Sequence, residues 1–199
     1  SPPIHGQIDA QKRIYQYLEN FSEEGYNNRL ILLVGPNGSS KSSLIKKMMK
    51  GMEAYSRTDE GAMYSFSWVF PIDSFVKGTL GLGAEQVERN INSFAHLEDK
   101  DVSAILPSEL KDHPLLLIPK TVRQNMLKEL LEKQPELFDT VKKSYLYNGD
   151  ISKRNKMIYD ALLKGHKGDH KEVLKYIRVE RFAISQRYSV SAVTIEPQL

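Results

Sequence analysis

Apolar residues recur every three to four positions in several stretches of the chain, a spacing that predicts amphipathic helices. One such stretch begins near Asp9, which can cap it, and another follows residue 42. Pro119 opens a third stretch, at a position where the first turn of a helix accepts proline. Two more helices are predicted, one over residues 151–165 and one after Asp169, which is a second capping residue.

Two other stretches have the pattern of strands. Residues 29–34, "RLILLV", are almost continuously apolar, which is typical of a strand buried on both faces of a parallel sheet. Residues 62–70, "AMYSFSWVF", alternate and are rich in aromatics, and strand-like pieces follow residue 178. A strand, a turn of small residues and a helix, in this order, form the first half of a βαβ unit. The pattern therefore predicts an α/β fold with parallel strands.

Composition narrows the possible functions. The 199 residues suit one domain, or one domain with an appendage. The absence of cysteine excludes disulfides, thiolate zinc sites and cysteine nucleophiles. The 28 basic and 25 acidic residues give a net charge of +3, which is too small to indicate nucleic acid as a partner. No apolar run approaches the ~20 residues of a membrane span. We therefore expect a cytoplasmic protein with neither a membrane nor a nucleic-acid partner.

A loop of small residues joins the 29–34 stretch to the helix that follows it. Gly35 opens the phosphate-binding pattern G-x-x-x-x-G-K-[ST], and Lys41 and Ser42 close it at the correct spacing. Ser40 stands where the pattern has its second glycine. Small residues matter here because backbone N–H groups must turn inward around an anion. The predicted nucleotide-binding residues are Gly35, Pro36, Asn37, Gly38, Ser39, Ser40, Lys41, Ser42 and Ser43.

Three side chains at the end of this loop have expected roles toward ATP and Mg²⁺. Lys41, the candidate catalytic residue, adds a positive charge for the β- and γ-phosphates. Ser42 offers its hydroxyl to Mg²⁺, and Ser43 can contact the α-phosphate. The helix that follows contributes unpaired N–H groups and the positive end of its dipole. A serine-rich helix start that binds nothing is the alternative, and the apolar run before the loop argues against it.

A hydrolysing P-loop enzyme also needs an acidic residue at the end of another strand, to hold Mg²⁺ or the attacking water. No convincing example occurs in the chain. Asp73 follows Pro71, Asp160 lies within a predicted helix, and Glu196 is a single acid. These carboxylates are interpreted as structural or solvated groups.

Two clusters of basic or histidine residues are interpreted as solvated surface. Arg178, Arg181 and Arg187 lie close together in the sequence, and a solvated basic face is the usual explanation. His166 and His170 are four residues apart, but glycines interrupt the helix that would align them as metal ligands. A solvated turn is therefore predicted there.

Four stretches together resemble the PrkA-type serine protein kinases, bacterial proteins with an N-terminal AAA ATPase domain. They are "LLVGPNGSSKSSLIKKMMKGMEAYSRTDEGAMYSFSW", "HPLLLIPKTVRQNML", "IYDALLKGHKGDHKEVLKYIRVERFAISQRY" and "SAVTIEPQL". The resemblance runs from the P-loop to the last residue. Ser39 and Ser40 look like a loop variant that this family uses, and the combination of stretches is more specific than the P-loop alone.

The resemblance implies an AAA-type P-loop NTPase core with parallel strands and a large, mainly helical insertion. Its expected parts are a P-loop core over 1–70, the insertion over 71–177 and a strand-like return over 178–199. It implies Mg-ATP binding through residues 35–43, action on a protein substrate, and a homo-oligomer in the intact protein. The resemblance also implies that the chain is incomplete at its C-terminal end, before the second acidic motif, so that alone it turns ATP over poorly.

Two other functions remain open on the residues alone. One is a complete P-loop kinase for a small molecule, which the length allows. The other is an interaction module that binds a nucleotide without turnover, for which Ser40 is the best support. Phosphotransfer to a metabolite by this chain would favour the first. An ATP affinity that does not depend on Lys41 would indicate a degenerate loop.

Overall fold

One sheet of three strands carries the core of the protein. The computed structural model describes residues 8–24, 31–36, 38–72 and 92–185. Within these residues the strand order is β2-β1-β3. The strands are β1 (Met63–Pro71), β2 (Val102–Pro107) and β3 (Ile177–Phe182).

Both neighbours of β1 run antiparallel to it. Ser67 lies opposite Pro107 and Phe70 lies opposite Ala104, which fixes the register of β2. On the other edge, the amide of Val69 donates to the carbonyl of Tyr176 at 2.7 Å. Ser67 Oγ donates to Glu180 Oε2 at 3.2 Å. From Tyr176 to Glu180, residue numbers rise along β3 while those of the facing residues in β1 fall, so the two strands are antiparallel.

Helices account for most of the other ordered residues in the described part of the chain. The α-helices are α1 (Ile8–Glu24), α2 (Lys41–Ser56), α3 (Lys120–Leu130), α4 (Pro135–Lys143), α5 (Tyr145–Asn148), α6 (Lys153–Gly165) and α7 (His170–Leu174). Short 3₁₀ turns cover Asp99–Asp101 and Pro114–Leu117. The described residues include no helix with the length and apolar character that a membrane crossing requires.

The chain divides into two compact units. One consists of Ser1–Met63, Leu127–Gly149 and Arg181–Leu199, and it contains α2 and the small-residue loop before it. The other consists of Tyr64–Met126 and Asp150–Glu180 and contains nearly all of the sheet. The predicted division into three segments stays a prediction.

Burial of β1 on both faces defines the core of the sheet-containing unit. Five consecutive residues, from Ser65 to Val69, are buried. The rings of Phe66 and Trp68 meet edge to face, with centroids 5.6 Å apart. The two other buried core residues around them come from the Pro114–Leu117 turn and α7; they are Leu117 and Val173. The alternation that predicted this strand therefore puts serines, not only apolar residues, inside the protein.

A buried hydrogen-bond network ties α6 to β1 and to the residues after β2. Trp68 Nε1 donates to Asn155 Oδ1 at 2.9 Å. Asn155 Nδ2 donates to Ser108 Oγ at 2.8 Å and to Asp112 Oδ2 at 2.7 Å. The same carboxylate oxygen accepts the amide of Ser152 at 2.7 Å. Because burial of an unpaired polar group is costly, these bonds fix which face of α6 packs on the sheet.

The predicted α/β class with a parallel P-loop NTPase core is wrong for the described residues. They form an antiparallel sheet with helices, and no parallel strand pair occurs among them. The strand that follows α2 in the sequence is β1. Because β2 and β3 pair with its two edges, β1 has no edge left for a parallel neighbour.

The strand predicted over residues 29–34 is also wrong where the structure describes it. Residues 31–36 form neither a strand nor a helix. Leu32 is 75% exposed and Val34 is 84% exposed. An apolar run becomes a buried strand only when other strands pair with it, and local composition does not reveal that pairing.

The predicted helices are confirmed by α1, α2, α3, α6 and α7, and the aromatic strand is confirmed by β1. Asp169 caps α7 as expected, because its carboxylate accepts the amide of Lys171 at 2.9 Å. Asp9 instead lies inside the first turn of α1. Strand β2 and helices α4 and α5 had no clear signature in the sequence.

Asn155→Ala tests the buried network. Removing the amide leaves Trp68 Nε1 without its acceptor, so we expect a loss of about 2–3 kcal/mol in the free energy of unfolding. Urea denaturation followed by tryptophan fluorescence measures it. Lys156→Ala is the matched control. Lys156 is exposed on the same helix, and it makes one solvent-exposed ion pair, with Asp160 at 3.8 Å. Equal stability of the two variants would contradict a stabilising role for the network.

His113→Asn tests a pH dependence that originates in the turn before α3. Burial lowers the pKa of His113 from 6.5, and its Nδ1 accepts the amide of Leu115 at 3.2 Å. The unfolded chain therefore binds this proton more tightly, so stability is full above pH 6.5 and falls as pH drops toward the folded pKa. Asparagine can accept the same bond without titrating. We expect a smaller acid loss of unfolding free energy in His113→Asn than in His96→Asn, a variant of an exposed histidine; identical pH profiles would contradict this.

Candidate functional site

The predicted phosphate loop leads directly into the first turn of α2. The amide of Ser39 donates to the carbonyl of Pro36 at 3.3 Å, which closes a turn. The carbonyl of Ser40 then accepts the amide of Leu44 at 2.9 Å, the first bond of the helix. Ser40 is thus the residue that starts α2, and its side chain makes no hydrogen bond to the helix end.

Two residues of the loop have left-handed backbone conformations. Gly38 has φ 81° and Ser40 has φ 61°. Glycine adopts such angles without cost, whereas a residue with a Cβ loses ~1–2 kcal/mol there. The second left-handed residue is the one at which the phosphate-binding pattern places glycine. The backbone at Ser40 therefore follows the geometry for which glycine is the usual choice.

The side chain of Lys41 folds back over the loop. Its Nζ donates to the carbonyl of Gly35 at 2.6 Å, to the carbonyl of Pro36 at 2.8 Å and to Ser39 Oγ at 2.9 Å. A Cβ at Gly35 would lie 3.2 Å from Ser39 Oγ, a tight contact, and 3.8 Å from Lys41 Nζ, an ordinary one. The structure thus brings four of the predicted site residues into one cluster.

The charge at the start of α2 is the reverse of what helix stability favours. The first turn contains no acidic residue and begins with Lys41. A cation beside the positive end of the helix dipole costs ~0.3–1 kcal/mol, whereas an anion there is stabilising. An anionic ligand would offset both the dipole and the lysine charge, because the N–H groups at this end have no side-chain cap from Ser40.

The other predicted residues of the loop lie on its surface. Ser42 and Ser43 are exposed in the first turn of α2. Asn37 lies outside the described residues, as do Asp73, Glu196 and Arg187. Asp160 is exposed on α6 beside Lys156, as expected for a solvated carboxylate. Within the described ranges, no group of three or more potential metal-ligating side chains occurs.

Two arginines that were interpreted as solvated also bind backbone carbonyls; Arg181 is exposed, and Arg178 is half-buried. Arg178 Nε donates to the carbonyl of Ala95 at 2.7 Å. One terminal nitrogen of Arg181 donates to the carbonyl of Arg57 at 3.0 Å and to that of Thr58 at 2.7 Å, at the C-terminal end of α2. Cations at this end of a helix satisfy its last carbonyls. These partners are far apart in sequence, so no local pattern indicates them.

The two histidines of the α6–α7 turn contact tyrosines. Tyr159 Oη lies 2.6 Å from His170 Nδ1, and His166 Nε2 lies 3.2 Å from Tyr176 Oη. Burial, and the nearby Asp160 carboxylate, raise the pKa of Tyr159 above 10.0. Burial followed by the Glu172 charge raises the pKa of Tyr176. The turn is present as predicted, but its histidine side chains are held by phenols.

Ser40→Gly tests the strain in the loop. Glycine removes the cost of the left-handed conformation but adds flexibility to the unfolded chain, so we expect a net gain of ~0.5–1 kcal/mol in unfolding free energy. Ser43→Gly, three residues later, should instead lose ~0.5 kcal/mol of unfolding free energy, because Ser43 lies within α2. Chemical denaturation of both variants measures the difference, and the same sign for both would refute the strain.

Comparisons with known proteins give one short relationship. No family model matches the chain, and no solved structure matches it. The ATP-dependent protease PrkA of Bacillus subtilis (strain 168) is 49% identical over 37 residues. This stretch is 19% of the present chain and 6% of the length of PrkA. The chain is thus related to PrkA over a short segment, and the relative is a protein whose name states dependence on ATP.

Proposed function

We propose that the loop from Gly35 to Ser43 binds the polyphosphate of Mg-ATP. The observation that carries the proposal is the cluster of Lys41 with Gly35, Pro36 and Ser39 at the start of α2. It combines a cation, a backbone with two left-handed residues and a helix end without a side-chain cap from Ser40. Each of these features is a known contribution to phosphate binding.

The residues present fit this ligand. Open space surrounds Gly38, since a Cβ there would meet no atom within 4 Å. A phosphate can therefore approach the backbone closely at this position. Ser42 is exposed in the first turn of α2, and its hydroxyl is the group that would hold Mg²⁺; Ser43 would hold the α-phosphate. When bound, Mg²⁺ would neutralise charge on the phosphate oxygens.

The chain would then supply ATP binding to a PrkA-like, ATP-dependent enzyme. The sequence resemblance implies a serine protein kinase acting on a protein substrate, whereas the Bacillus subtilis relative is named a protease. Both activities require ATP, so the loop has the same role in either. The proposal needs no parallel sheet, because every group that it uses belongs to the loop or to the first turn of α2.

Lys41→Ala tests the proposed function. Because charge-assisted bonds contribute ~1.5–3 kcal/mol each, we expect Mg-ATP affinity to fall roughly 10- to 100-fold. Calorimetric titration of ATP with and without Mg²⁺ measures this affinity. Lys46→Ala is the control, because Lys46 is exposed on the same helix and its loss changes the net charge equally. Equal affinities for the two variants would show that the loop does not bind the polyphosphate.

A further inference from the structure

We propose that three lysines on the exposed face of α2 attract the polyphosphate toward the loop and admit a nucleoside triphosphate faster than a diphosphate. Lys46, Lys47 and Lys50 together form this basic stripe. The inference rests on the proposed function of the loop. It adds residues that act through their electric field before the ligand makes contact, so they are positioning residues.

The net charge of the chain is concentrated on this one helix. Helix α2 contains four lysines and one glutamate, which give it a net charge of +3. The whole chain has 28 basic and 25 acidic residues, and therefore the same net charge of +3. All residues outside α2 thus comprise 24 of each sign and are neutral as a group. The net positive charge that attracts a polyanion therefore originates in α2.

The lysines of the basic stripe lie together on the exposed side of α2. Lys50 follows Lys46 by four residues and Lys47 by three, and both spacings make side chains neighbours on a helix. All three lysines are exposed, whereas Leu44 and Met49 of the same helix are buried. The helix therefore packs through its apolar side and presents three cations to solvent.

The charges of the basic stripe are not compensated by acidic neighbours. Within the described ranges, none of its lysines takes part in an ion pair. The single acid of α2, Glu53, instead pairs with Arg57 at 2.8 Å. Like charges three and four residues apart repel each other and weaken a helix. Because local choices that oppose stability are typical of functional sites, the stripe is best explained by an anionic ligand.

The basic stripe is within electrostatic range of the loop. At about 1.5 Å of rise per residue, Lys46 lies about 8 Å and Lys50 about 14 Å from Lys41 along the helix axis. The screening length is about 30 Å at 0.01 M ionic strength and about 8 Å at 0.15 M. The three charges therefore act on a ligand near the loop strongly at low salt and weakly at high salt. Charges at this range mainly raise the association rate.

The same field discriminates between nucleotides by their charge. Mg-ATP carries more negative charge than Mg-ADP, so the three lysines attract it more strongly. No fixed geometry of the lysine side chains is needed, because the attraction acts through several ångströms of water. The basic stripe therefore favours the triphosphate through the association rate, before any contact with the loop is made.

Stopped-flow mixing with fluorescent ATP and ADP analogues, each with Mg²⁺, measures the association rate constants. The triple variant Lys46→Gln/Lys47→Gln/Lys50→Gln should lower the constant for ATP about five-fold at about 0.01 M ionic strength. The reduction should shrink to less than about two-fold at about 0.15 M. The constant for ADP should fall only about two-fold at the lower salt. The dissociation rate constants should not change.

Lys164→Gln/Lys167→Gln/Lys171→Gln is the matched control. These three lysines are exposed in the sheet-containing unit, and their replacement changes the net charge of the chain by the same amount. We expect the association rate constant of this variant to stay within about 1.5-fold of the parent value. Equal slowing in both triple variants would show that total charge acts rather than its position, and would overturn the role of the basic stripe.

Urea denaturation of the same variants excludes a damaged fold as the cause of slower binding. Glutamine removes the repulsion between the lysines, so the variant of the basic stripe should unfold at a higher urea concentration than the parent. A protein that is more stable and yet associates more slowly has lost attraction, not structure. A lower unfolding midpoint would contradict the argument that these charges are uncompensated.

The outcomes separate this inference from the proposed function. If the parent chain bound no ATP, both would fall. If the parent bound ATP and Lys41→Ala lost affinity, but the variant of the basic stripe associated as fast as its control, only the inference would fall. Loss of one lysine of the stripe changes the association rate about two-fold. Lys46→Ala therefore stays distinguishable from Lys41→Ala, for which a loss of about 10-fold or more is expected.

Discussion

The three hydrogen bonds of the Lys41 ammonium group hold the candidate site together. They connect the start of α2 to the carbonyls of Gly35 and Pro36, across a turn in which Ser40 has a left-handed conformation. Helix stability alone would favour neither a lysine nor a strained serine at these positions. Local choices that oppose stability are concentrated where proteins bind ligands. The same contacts therefore mark this loop as the candidate site.

The sheet-containing unit follows a different constraint, which is the burial of β1 on both faces. Because β1 is buried on both faces, its polar side chains lie inside, and two of them have hydrogen-bond partners, whereas Ser65 Oγ has none among the described residues. Ser67 has Glu180, and Trp68 has Asn155. The polar contacts are therefore as specific as the aromatic ones in fixing how β3 and α6 meet the strand. The stability of this unit and the geometry of the loop before α2 thus depend on separate groups of residues.

Features that depend on residues close together in the sequence were predicted well. Helical spacing located α2 and α6, and the glycine and lysine spacing located the loop. Prediction failed where the outcome depends on distant partners. Nothing in residues 29–34 reveals that no strand pairs with them in the described part. The bond between Trp68 and Asn155 spans 87 residues, and the left-handed angle of Ser40 emerges only from the folded turn.

The clamp on the C-terminal end of α2 has a consequence for the order of folding. The Arg181 guanidinium reaches a carbonyl 124 residues earlier in the chain. On the ribosome, the helix is therefore synthesised long before the group that completes its end. Contacts between such distant residues form late, because the intervening chain must first be ordered. A nascent chain would hold the small-residue loop on an unfinished helix, so α2 would be completed only after the residues of β3 are synthesised.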